Sequence, residues 1–104
     1  MLIATTETVS GHEIAQTLGV ARGNTVRARN IGTDILAGLR NLVGGEVGEY
    51  TKLIAESREQ ALDRMIDNAK SMGADAVVGV RFTTSMVTQG AAEILVFGTA
   101  VKLK

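Results

Sequence analysis

The alternation of apolar and polar residues begins at once, with Leu2 to Thr6 predicting a short strand and Ser10-Gly11-His12 the turn after it. From Ile14 onward, Ile14, Leu18, Val20, Val26 and Ala28 fall on one parity, and Ala15, Thr17, Gly19 and Ala21 on the other. This predicts a strand, or a hairpin turning near Arg22-Gly23-Asn24. One face is branched and apolar, and the other carries small side chains that would let another backbone or subunit approach closely. Thr33 or Asp34 can cap a short helix whose apolar positions are Ile35, Leu36, Leu39, Leu42 and Val43, ending at Gly44-Gly45.

A longer helix follows. Val47, Tyr50, Leu53, Ile54, Ala61, Leu62, Met65, Ile66, Ala69 and Met72 recur at three- and four-residue steps, Ser57 interrupts the stripe, and Gly73 supplies the stop. Glu49 with Lys52 and Asp67 with Lys70 are pairs suited to its wet face. Beyond Gly73, Ala76, Val78, Val80 and Phe82 alternate with Val77, Gly79, Arg81 and Thr83 as a strand, and Thr88-Gln89-Gly90 reads as a hairpin loop. The run Ile94 to Val101 is apolar on both parities, the mark of a central strand covered on both faces. The expected topology is strand, helix, strand, strand, with the last strand antiparallel between the other two and the long helix across the sheet. One helix covers one face, so the second must be buried by the short helix, the N-terminal arm or another subunit. Gly98, in the middle of the last strand, marks a place where a neighbouring backbone approaches.

Composition sharpens this picture. A length of 104 residues fits a single α+β domain over 1–104, without room for separate catalytic and regulatory domains. Aromatics amount to 3%, so the core must be built from smaller side chains, and self-association is one way to bury more surface. Eleven basic and eleven acidic residues balance, with no block of like charge, which disfavours nucleic acid and anionic membranes as partners. Cysteine is absent, excluding disulfides, thiolate catalysis and thiolate zinc sites. No signal-peptide pattern and no membrane-length apolar run is present, so a cytoplasmic location is the expectation.

Thr5-Thr6, Leu18-Gly19-Val20 before Gly23, Asn30-Ile31 and Gly44-Gly45-Glu46 followed by Tyr50 form an ordered series with Glu56, Arg58, Ala61 and Arg64-Met65. It continues through Gly73-Ala74-Asp75-Ala76-Val77-Val78-Gly79 to Gly98-Thr99-Ala100-Val101. In these residues, spread over almost the whole chain, the sequence resembles the YbjQ-like family, a bacterial group that carries a heavy-metal-binding label. The resemblance implies a dodecin-like β-α-β-β subunit, one long helix packed on an antiparallel sheet, with extra short strands that help join neighbours in a ring-shaped pentamer. It supplies no catalytic residue to carry over, and no cofactor is expected.

For a metal, His12 beside Glu13, or Glu46 with Glu49, offer one or two ligands per subunit, which a fivefold axis would multiply. The plainer reading puts His12 in a turn and the two glutamates in a first helical turn, where negative charge complements the helix dipole. Gly44-Gly45-Glu46-Val47-Gly48 lacks the Gly-Lys-Ser/Thr ending of a phosphate loop and reads better as a junction between helices. Arg22, Arg27 and Arg29 form the densest basic cluster, a candidate anion contact, with salt bridging to a neighbouring subunit as the commoner role. Glu56 with Glu59 and Asp63 with Asp67 are carboxylate neighbours on a helix, usually a solvated surface. The expectation is a non-enzymatic homo-oligomer with binding as its candidate role. A binder of metal ions or small ligands at subunit interfaces or on the ring axis is the alternative, and an enzyme with an inter-subunit active site the third option.

Overall fold

The computed structural model describes residues 1–27, 48–88 and 91–104. Within them the chain forms β1 (Leu2–Ile3), β2 (Ile14–Arg27), α1 (Gly48–Ser71), β3 (Ala76–Thr88) and β4 (Ala91–Leu103). The short helix expected over 33–45 and the loop residues Gln89 and Gly90 lie outside the described residues. The sheet runs β1-β3-β4-β2, with β4 antiparallel to both neighbours, as the apolar run of Ile94 to Val101 predicts. It is mixed rather than wholly antiparallel, because β1 pairs parallel with β3 through Leu2 opposite Ala76 and Ile3 opposite Val77. The rest of the N-terminal arm continues along that edge: Ala4 N–H donates to the Val77 carbonyl, and Gly79 N–H to that of Thr6.

β2 is continuous, with no hairpin at Gly23, but register shifts at Ala15 and Leu18 break its parity. An extra residue in one strand turns the following side chains to the opposite face. Ile14 therefore packs beneath the sheet while Leu18 packs on the helix side, and beyond Gly19 the small residues Ala21, Gly23 and Thr25 face the helix. Val20 and Val26, of the branched parity, point away from it and are exposed.

α1 answers that small-residue track with one of its own. Ser57, Ala61, Met65 and Ala69, each four residues on from the last, are all fully buried. Ser57 thus belongs to the buried stripe that it was expected to interrupt, and its carbonyl accepts from the Thr25 hydroxyl at 3.2 Å. Small side chains on both partners let the two backbones come into contact. A Cβ on Gly23 would overlap the Ala61 carbonyl oxygen and the Met65 nitrogen. The helix ends where Gly73 takes a φ of 79°, with Ala74 N–H reaching the Ala69 carbonyl and Gly73 N–H that of Lys70. This pair of bonds satisfies carbonyls that the last turn leaves open.

The main core lies between α1 and the sheet and includes Ala21, Met65, Val77, Val80, Ile94, Val96 and Ala100. A second, smaller core lies on the opposite face, where Val9, Ile14 and Leu103 cover Ala76, Val78 and Val101. The N-terminal arm therefore does bury part of the second face, but only at one end. Farther along, Val20 (66% exposed), Val26 (53%) and Phe97 (36%) stand on a stretch that no other described residues cover. Phe82 (49%) and Met86 (73%) form another exposed apolar pair on the helix-side face, opposite Val96 and Ala92.

Candidate functional site

β2 is an edge strand of the sheet, and its outward backbone groups need partners. The helix supplies two of them. Arg22 N–H donates to Asn68 Oδ1 at 2.9 Å, and the Asn24 carbonyl accepts from Arg64 Nη1 at 2.7 Å. Alternation then directs the side chains of Arg22 and Asn24 to the face away from the core, where β4 brings Leu95 opposite Asn24 and Glu93 opposite Val26. These elements enclose an open groove of about 510 Å³ lined by Arg22, Asn24, Asn68, Glu93 and Leu95. Asn24 Nδ2 donates to Glu93 Oε2 at 3.0 Å, which holds the carboxylate on the groove wall. Among the described residues the Arg22 guanidinium has no hydrogen-bond or ion-pair partner. The groove thus offers a planar cation and an amide on one side, a carboxylate and an amide on the other, and an apolar floor.

Of the candidate site residues whose side chains are described, only Arg22 lines this groove. Arg27 ends β2 and Glu49 lies in the first turn of α1, their side chains outside the described residues, as are Arg29 and Glu46 altogether. His12 is exposed just after the Ser10-Gly11 turn, its N–H donating to the Val9 carbonyl at 3.1 Å. Glu13 is also exposed and pairs with Lys104 at 3.4 Å, a contact too open to water to be worth much. Glu56, Glu59, Asp63 and Asp67 are all exposed, the solvated surface that is usual for such pairs. Asn24, Asn68, Glu93 and Leu95 carried no local signal, since their meeting depends on strand register and on the helix seat. Among the described residues no helix is long and apolar enough to cross a membrane.

A four-stranded mixed sheet with one helix on one face defines an α+β protein whose other face is covered, among the described residues, only at one end. The chain belongs to the YbjQ family, known also as UPF0145: a family model described as "Putative heavy-metal-binding" matches residues 1–104. UPF0145 proteins of Methanosarcina acetivorans and Archaeoglobus fulgidus are each 60% identical to it, the first over 99% of this chain and 97% of its own, the second over 100% and 96%. One from Thermus thermophilus is 56% identical over the whole of this chain and 91% of its own. The family therefore extends to archaea, beyond the bacterial scope of the sequence resemblance. In structure the chain is similar to a DUF74-family protein of unknown function from Pediococcus pentosaceus, with a TM-score of 0.65 over 100% of this chain and 98% of that one. At 14% identity that likeness shows the fold alone.

The heavy-metal description fits the donors of this chain poorly. Soft and borderline ions select thiolate and imidazole ligands, whereas the chain has no cysteine and one histidine. Among the described residues no three of His, Cys, Asp and Glu come together. Titration of metal-free protein with zinc, copper or nickel is expected to show no binding tighter than roughly micromolar. A tight stoichiometric site abolished by His12→Ala would contradict this.

Proposed function

We propose that the chain is the subunit of a ring-shaped cytoplasmic homo-oligomer, a dodecin-like pentamer, whose role is binding rather than catalysis. The observation that carries this reading is the sheet face that the described residues leave uncovered, where Val20, Val26 and Phe97 stand exposed. Removing such side chains from water is worth on the order of 25 cal/mol per Å² of apolar surface. The exposed pair Phe82 and Met86 lies on the opposite side of the sheet, so each subunit carries two unlike apolar patches. A contact that joins one patch to the other is head-to-tail, and such contacts close into rings when the rotation allows. The number five comes from the family resemblance.

The test is the solution mass of the native chain beside two variants, Val20→Asp and Met86→Asp, one in each patch. A carboxylate placed in an apolar contact must be desolvated without a partner, so each variant should lower the mass toward the 10.9 kDa of one chain. Both variants retaining the native multi-subunit mass would show that neither patch joins subunits.

A further inference from the structure

We propose that the groove at the outer edge of β2 binds a small zwitterion, its carboxylate on Arg22 and Asn68 and its ammonium on Glu93. The argument starts from what the lining groups have left to offer. The Arg22 guanidinium is unpartnered among the described residues, and its forked donors match the two oxygens of a carboxylate. Asn68 uses Oδ1 on the Arg22 backbone, which leaves its amide NH₂ as a second donor lining the groove. On the other side, Glu93 receives Asn24 through Oε2, leaving Oε1 to accept from an ammonium, with Asn24 Oδ1 as a further acceptor.

Charge balance narrows the ligand class. One guanidinium and one carboxylate line the same groove, so a simple anion meets repulsion from Glu93 and a simple cation from Arg22. A molecule carrying both charges avoids both penalties. Spacing narrows it further: Arg22 lies opposite Phe97, and Glu93 opposite Val26. Four residues of strand separate the two rows, on the order of 13 Å between backbones. The two side chains line one groove with Leu95 and form no ion pair with each other, so both charges face the groove for a ligand to meet. A dipeptide, or an amino acid with its amine at the far end of a short chain, carries the two charges at opposite ends of one small molecule.

Arg22 and Asn24 alternate with Val20 and Val26 on one sheet face, and Arg22 lies opposite Phe97, so the proposal requires a ring contact that leaves this groove open, and its test reads both. The native full-length protein is titrated with diglycine, followed by amide chemical shifts, with acetate and methylammonium as single-charge controls. Saturable binding at one diglycine per chain is expected, with Kd near or below about 1 mM and the controls at least ~10-fold weaker. Arg22→Gln and Glu93→Gln should each weaken diglycine binding ~10-fold or more, with melting temperature and solution mass unchanged. Arg22→Gln preserves the backbone bond to Asn68, so its effect reports the guanidinium. Absence of saturation up to roughly 50 mM, or equal binding by the variants, would overturn the proposal. Variants that lower the solution mass would also overturn it, assigning Arg22 and Glu93 to a subunit contact.

Discussion

Replacing Gly23 with alanine is expected to destabilise the protein by about 3 kcal/mol or more, at or above the top of the usual range for added core atoms. The added methyl would occupy space already held by the Ala61 carbonyl oxygen and the Met65 nitrogen, with the Arg64 carbonyl carbon at 2.8 Å. Those are backbone atoms in the middle of α1, and no rotamer change can move them aside. The helix would have to lift from β2, loosening the Ser57-Ala61-Met65-Ala69 stripe and straining the bonds from Asn68 and Arg64 to the strand edge. A domain of this size commonly has a total stability of about 5–15 kcal/mol, so the melting temperature should fall by more than about 10 °C. Thermal unfolding followed by circular dichroism checks it. A change of only about a degree would mean that α1 does not rest on Gly23.

Gly98→Val is the second large effect, on the order of 1–3 kcal/mol. A Cβ there would lie 2.7 Å from Val77 Cγ1, 2.9 Å from the Val78 carbonyl oxygen and 3.2 Å from Val80 Cγ2. The crowding comes from β3 of the same subunit, where the register shifts between Val78 and Arg81 and Gly79 takes a φ of 63°. The sequence reading expected a close approach at Gly98, and the structure identifies the approaching strand as one from the same chain. The consequence for the experiment is specific: melting temperature should fall while the solution mass stays at its native value. Loss of mass without loss of melting temperature would place a neighbouring subunit over Gly98 instead.

The contrast between these glycines and the groove explains what was legible in the sequence. The long helix and the central β4 follow from periodicity and from an apolar run, both local signals that survive in the fold. The faces of β2 were less legible, because Ala15 and Leu18 sit at register shifts that simple alternation does not contain. Ser57 was misjudged for a related reason: a buried polar residue breaks an apolar stripe on paper, yet here its small size and its carbonyl's bond to Thr25 suit a close helix–strand contact. The groove was the least legible feature. Arg22 was singled out with Arg27 and Arg29, its neighbours in sequence, whereas its groove partners Asn68 and Glu93 lie 46 and 71 positions away. Only strand pairing and the helix seat bring those groups together.

The central claim, that the uncovered sheet face is buried by other copies of the chain, meets its most direct test in the mass of the native protein in solution. Light scattering coupled to size exclusion at micromolar concentration should give a single species of several subunits, with five times 10.9 kDa as the expected value. A clean 10.9 kDa monomer under the same conditions would contradict the claim, leaving Val20, Val26 and Phe97 exposed to water in the working protein.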